Sequence, residues 1–434
     1  MNPVDRQTPP QQHPLAELSL APPIIRRLSN GIPVHTFLNS QLELAHFIIQ
    51  VRTGILHEDQ KHIALFTYAL LKESSPTYSA TEMADLLDFY GAYITVSSGL
   101  YHTEISIAIP CRNIPKIFPV LFDCLAHPKY NNERLDIYAS LKIKDLEYNS
   151  RKTDVRSTQL MLHAIFGDQR TAGQFSTREN LRAVTVEQMQ TYHQKTFCAE
   201  NITVFATGNL NAEAEACLHN LFSQIPHGQA SAQIQNLPLP ADTSRLITEM
   251  MPDSVQSSIT LCMVKDGYNA PERRPFSFLS TITGGYFGSR LMQNLRERNG
   301  YTYGITAGSV YFGNQALFII NSDVNAEHTQ AAIDACFEEL KRLQEEPVGT
   351  EELESARNYL LGNMLRDVDN SVSYLKRYAF WHSFGLDETE FQQQIQAIRN
   401  THADTLQQLA KKHFNYNNFT RIIVGNTTQL TPEF

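Results

Sequence analysis

The sequence predicts an α+β fold made of two tandem, similar domains, each an antiparallel-rich sheet packed against helices. Three observations carry the prediction. Strand-like alternation comes in hairpins set beside helical runs, not in strict alternation with single helices. One order of elements recurs in both halves, offset by about two hundred residues. Between the copies, residues 226–243 are rich in Gly, Ala, Gln and Pro with no helical or strand period, as a linker would be.

In chain order, residues 1–22 are Pro- and Gln-rich and read as a disordered extension, followed by domains over 23–225 and 244–434. In the first domain, 45–52 reads as a strand ending near Gly54, and 62–73 as an apolar helix. Ser79 and Glu82 form a capping box, Met83, Leu86, Leu87 and Tyr90 fall at i, i+3, i+4 and i+7, and Gly91 stands where a left-handed cap is wanted. Alternating residues at 103–109 pair by hairpin with 93–97 across Ser98-Gly99. A helix stops at Pro128 and the next restarts at a cap by Asn131, carrying the stripe Leu135, Tyr138, Leu141. An amphipathic helix over 185–197 and a strand over 202–207, before Gly208-Asn209, close this half. The second half repeats the order: strand 258–265 ending at Gly267, helix 274–282, an alternating run after Gly300, a stop and cap at Pro347 to Thr350, helix 403–414, and strand 420–424 before Gly425-Asn426.

Composition narrows the function. Of the 434 residues 42% are apolar and 19% charged, a globular profile. The formal charge of −9, with no long block of Lys or Arg, speaks against nucleic acid as a partner. No run approaches the ~18 apolar residues of a membrane span, so no membrane partner is expected. The N-terminus lacks the basic start and apolar stretch of a signal peptide, so a cytoplasmic setting is expected. Cys111, Cys124, Cys198, Cys217, Cys262 and Cys336 form no CxxC pair and read as buried, reduced thiols.

Common catalytic motifs are missing. There is no HExxH, HxxEH or GxSxG. His57 and His62 are five apart in a polar stretch and read as exposed loop histidines, while His102 beside Glu104 has no third ligand nearby. The stretch Gly284-Gly-Tyr-Phe-Gly-Ser289 lacks the Lys of a P-loop and reads as a loop that starts a helix.

One segment is specific. Residues 284–303, with Ser289-Arg-Leu, then Leu295-Arg-Glu, then Gly300 and Tyr303, resemble the second-domain signature of the insulinase, pitrilysin and mitochondrial-processing-peptidase family of zinc peptidases. That resemblance implies tandem α+β domains forming half of a clamshell that closes over an unfolded peptide. It also implies an HxxEH helix in catalytic members, with a carboxylate on a later helix as third zinc ligand. Set against residues 62–69, the pattern puts Leu65, Tyr68 and Ala69 at the His, Glu and His positions, and all three are lost. The third-ligand position falls near Asp145, read here as a helix-packing or capping acid, because one acid cannot hold catalytic zinc.

In the family, the residues matching Arg296 and Tyr303 reach across to an active site, bind substrate backbone and stabilise the oxyanion. A phenol O–H and a guanidinium fork suit that role. The resemblance therefore implies a non-catalytic subunit with no cofactor of its own. It would pair with an HxxEH-bearing paralogous subunit that holds the zinc, and act on peptides or unstructured protein segments. The alternative is a catalytically inert homodimer that binds peptides or serves assembly. A self-sufficient peptidase is disfavoured, since Leu65 and Ala69 offer no lone pair and Tyr68 no useful base at neutral pH.

Overall fold

The computed structural model describes residues 19–232 and 245–430 apart from Ser74, Gly313 and Gln429. Most of the expected N-terminal extension (1–18) and of the expected linker (233–243) lies outside the described residues. The first sheet contains β1 (Ile24–Arg27), β2 (Pro33–Leu38), β3 (Leu44–Val51), β4 (Tyr93–Ser98), β5 (Thr103–Pro110) and β6 (Ile202–Gly208), in the order β1-β2-β6-β3-β5-β4. The second contains β7 (Leu246–Met250), β8 (Gln256–Asp266), β9 (Thr302–Phe312), β10 (Gln315–Asn325) and β11 (Thr420–Gly425), in the order β7-β11-β8-β10-β9. Among the described residues only β2/β6 and β7/β11 pair parallel. Strands β2-β6-β3-β5-β4 and β7-β11-β8-β10-β9 therefore share one topology, so the repeat read from the sequence exists at the level of strand pairing.

Helices of the first half are α1 (Ile63–Ala69), α2 (Ala80–Tyr90), α3 (Ile114–Ala126), α4 (Asn132–Asn149), α5 (Thr153–Phe166), α6 (Arg178–Arg182), α7 (Val186–Thr196) and α8 (Ala212–Phe222). Those of the second are α9 (Arg273–Ser280), α10 (Thr329–Glu345), α11 (Thr350–Arg366), α12 (Ser371–His382), α13 (Thr389–Asn400) and α14 (Ala403–His413). Among the described residues no helix is long and apolar enough to cross a membrane. Local chemistry sets many ends. The Ser79–Glu82 capping box starts α2, Gly91 at φ 65° ends it, and Thr185 with Gln188 forms a second box at α7.

Two ends differ from expectation. Helix α1 stops at Ala69 and does not reach residue 73; further on, the Ser75 hydroxyl accepts the N–H groups of Thr77 and Tyr78 in a side-chain-bonded turn. At α11 the cap is Gly349, while Thr350 is the first helical residue and makes no side-chain cap.

Helix exchange covers the sheets. Along β3, Phe47, Ile49 and Val51 enter a core shared with Ile63 and Phe66 of α1 and Ile117 and Phe118 of α3. Ile48, on the opposite face, joins Tyr374, Tyr378 and Ala379 of α12, a helix from the second half. Reciprocally, Met161, Ile165 and Phe166 of α5 pack on Cys262, Phe312, Ile422 and Val424 of the second sheet. The Arg156 fork holds Glu249 at 2.6 and 2.7 Å, and the Ser157 and Thr260 hydroxyls meet at 2.7 Å. Where both faces are covered, runs of consecutive residues are buried: β11 at every residue and β8 over 257–263.

Candidate functional site

Helix α1 carries Leu65, Tyr68 and Ala69, the positions that the resemblance sets against a metal motif. Tyr68 is fully buried, its hydroxyl 2.7 Å from that of Thr196, and burial raises its pKa well above the ordinary phenol value. Leu65 packs against the first core and Ala69 is half-buried. Glu58 caps the helix start, accepting the N–H of Ala64 at 3.0 Å and of His62 at 3.3 Å. Burial pushes the Glu58 carboxyl up to about 7 against the pull of those hydrogen bonds.

His62 and Asp145 depart from their expected settings. His62 sits at φ 72°, is half-buried, and has its imidazole pushed down to about 4, chiefly by burial, so it is not a solvated loop histidine. Asp145 lies on the exposed side of α4, 3.3 Å from Lys142. The buried stripe of that helix is Leu135, Ala139 and Ile143, with Leu141 exposed, so Asp145 is an ion-paired surface acid and neither packs nor caps. Among the described residues no three His, Cys, Asp or Glu side chains group so as to hold a metal ion. Zinc does not fit α1: two of its motif positions are hydrocarbon, and the third is a phenol already bonded to Thr196.

The second-half signature is built with care. Following α9 the helix widens over Thr281–Gly285, and residues Met292–Arg298 form another widened turn, a distortion that recurs at functional sites. Gly284 is required by close approach: a Cβ there would lie 2.7 Å from that of Ala307 on β9. Arg290 anchors the segment, gripping Glu352 of α11 at 2.8 and 3.0 Å. Arg296 lies over the Phe287 ring, 4.9 Å from its centroid, and 3.4 Å from Glu297. Tyr303 is 89% exposed on β9, at the edge of the second sheet.

A β-bulge aims this tyrosine. Ile305 pairs with Ser322 but Thr302 with Val324, so three steps on β9 answer two on β10. The Thr302 hydroxyl is 2.6 Å from the Asp323 carbonyl oxygen and accepts the Gly304 N–H at 3.0 Å, while the Ser322 hydroxyl donates to the Gly304 carbonyl at 2.9 Å. The bulge is thus pinned on both sides of Tyr303. Among the described residues the Tyr303 hydroxyl has no hydrogen-bond partner.

On the face of the first sheet opposite α1 lies a cavity of about 890 Å³ between the two halves. Its walls bring together Arg52 at the end of β3, His57, His102 and Glu104, and Lys376 and His382 from α12. Gly54 lets the loop carrying His57 lie against the β4–β5 turn, because a Cβ there would meet the Leu100 carbonyl oxygen at 2.4 Å. Burial, then the field of Arg52, lowers the pKa of His57, His382 and His102, the last to about 4. His57 is therefore a cavity group and not an exposed loop histidine. His102 and Glu104, set aside in the sequence for want of neighbours, have them here from residues more than two hundred positions away. The one local signal was Gln50, a polar residue in the run 45–51; it turns out to donate to the Ala379 carbonyl of α12 at 3.2 Å.

The two sheets share one topology, and α1 carries no metal donors at Leu65, Tyr68 and Ala69. Residues 183–360 match the family described as the peptidase M16 inactive domain. An uncharacterized zinc protease of Mycobacterium tuberculosis is 20% identical over 317 residues, 72% of this chain and 72% of its own. Another, from Rickettsia felis, is 21% identical over 412 residues, covering 93% and 97%. The crystal structure of a peptidase M16 inactive domain from Pseudomonas fluorescens superposes with a TM-score of 0.85 at 19% identity, over 94% of this chain and 100% of that one. A protease from Helicobacter pylori gives 0.83 at 13% identity, over 93% and 100%. The resemblance read in the sequence is borne out: residues 183–360 match the M16 inactive domain, and the fold is that of the M16-type structures.

Proposed function

We propose that this chain is the non-catalytic, substrate-binding subunit of a heterodimeric zinc peptidase acting on peptides or unstructured protein segments. Its partner is an HxxEH-bearing paralogous subunit that holds the zinc, and this chain lends Arg296 and Tyr303 to the partner's site. One observation carries the reading: Tyr303 is a solvent-facing phenol on a bulge held by three hydrogen bonds, with no bond of its own among the described residues. Such a group is preorganised to donate to an oxyanion that forms elsewhere. Arg296, half-exposed beside it in the motif, supplies N–H donors and a fixed cation for the same charge or for substrate carbonyls. The reading places the pair in the cytoplasm, where the six free thiols would stay reduced, and takes 23–225 and 244–434 as its two peptidase-like domains.

The test is coexpression with an HxxEH-bearing paralogue and assay on a quenched peptide, with and without chelator. Chelator-sensitive turnover by the pair, and none by this chain alone, is expected. Tyr303→Phe should lower kcat by about 10²-fold, the scale of one lost oxyanion donor, and Arg296→Ala should also lower turnover, with the complex intact in both. Unchanged turnover in both variants would remove the role given to these residues. Recovery of this chain only as an inert homodimer would favour the peptide-binding or assembly alternative.

A further inference from the structure

The cavity between the halves has an electrostatic character opposite to that of the protein. The chain carries a formal charge of −9, yet both Arg52, at the end of β3, and Lys376, on α12, line the cavity. Among the described residues neither forms an ion pair. The carboxylate lining this space, Glu104, accepts the Ser106 hydroxyl at 3.0 Å. Arg52 is half-buried and Lys376 exposed, and two cations against one carboxylate leave the lining with a net positive charge that an anionic ligand would complement.

Hydrogen-bond donors and apolar surface complete the cavity. His57, His102 and His382 line it and are held neutral near pH 7, so each offers one N–H donor and one acceptor. Leu100, Phe380 and Phe384 supply apolar wall. A volume of about 890 Å³ lies in the upper part of the range of small-ligand pockets, roughly 300–1,000 Å³. That exceeds the needs of an inorganic anion and leaves room for an apolar body behind a charged head.

We propose that this cavity is a binding site for a carboxylate-bearing ligand with an apolar or aromatic body, its carboxylate taken by Arg52 and Lys376 and its body by the Leu100, Phe380 and Phe384 wall. Two sources share that chemistry: the C-terminal end of a short peptide and a small free carboxylic acid. The site is separate from α1 and from Arg296 and Tyr303, and it stands whether or not the chain serves a peptidase.

Isothermal titration of the purified full chain tests this with four probes: acetyl-Ala-Ala-Phe and acetyl-Phe, each as free acid and as carboxamide. At least one free acid should bind ten-fold or more tighter than its amide, with affinity falling as salt rises; which acid binds tells peptide end from small acid. Arg52→Gln and, on α12, Lys376→Gln should each shrink the acid-over-amide ratio towards one. Each variant is first checked for an unchanged melting temperature, so that a folding defect in one leaves the other to decide. Equal binding of acid and amide, no binding by any probe, or a ratio preserved in both variants would overturn the proposal.

Discussion

His35 illustrates how single side chains tie stability to pH. It is buried on β2 among the rings of Phe205 at 5.0 Å and His382 at 4.8 Å, with Nδ1 3.3 Å from the Tyr378 hydroxyl. Burial first, then His382 and Arg27, push its imidazole from 6.5 down to about 4. The folded chain thus binds this proton less readily than the unfolded chain. The stability His35 contributes is full above pH 6.5 and is lost as pH falls through about 4. Between pH 7 and pH 5 the chain should lose on the order of 1–2 kcal/mol through this group. His35→Phe, which keeps a ring in the same aromatic setting, should flatten that part of the profile in urea titrations at the two pH values. An identical slope in the variant would show that His35 titrates normally in the fold.

At the scale of elements, the Thr302 hydroxyl makes two of the three hydrogen bonds that pin the bulge in β9. Thr302→Val preserves shape but removes the groups that meet Asp323 and Gly304, and leaves the Gly304 N–H without its acceptor. A cost of about 1–2 kcal/mol is expected, with faster amide exchange at Gly304 than in the rest of β9 and β10; unaltered exchange there would mean the bulge is held by something else. Elements of this kind were legible when their determinants were local. The Ser79–Glu82 box, Gly91 and the alternation of Thr103, Ile105, Ile107 and Ile109 act within a few residues, and the structure matches them. The bulge was not legible, because Thr302 announces nothing until Asp323 and Ser322 lie beside it. Nor was the true stripe of α4: Leu135, Tyr138 and Leu141 fit a helical period, but so do Leu135, Ala139 and Ile143, and only packing decides. The Arg52, His57, His102 and His382 cavity was hidden for the same reason, its members being joined by the docking of α12 and not by spacing.

For the whole molecule, the decisive feature is the exchange of helices between the halves. A repeat in sequence suggests two units that could unfold separately, but α5 covers the second sheet and α12 the first. Unfolding either half would strip a helix from the other and expose strands buried on both faces. Cooperativity between the halves follows from that cost, although multidomain chains commonly lose it. Trp381, the only tryptophan, is buried on α12, the second-half helix that covers the first sheet, and reports that docking, whereas far-ultraviolet circular dichroism reports both halves. The two signals should trace one denaturant transition. Phe166→Ala probes the coupling from the other side, because this α5 ring stacks edge-on to Phe312 at 5.5 Å across the interface. It should cost about 3 kcal/mol and move the Trp381 transition and the dichroism together, though Phe166 lies more than two hundred residues from Trp381 in the chain. A dichroism curve that splits in two, with the Trp381 step unmoved, would mean that the exchanged helices dock without coupling the halves.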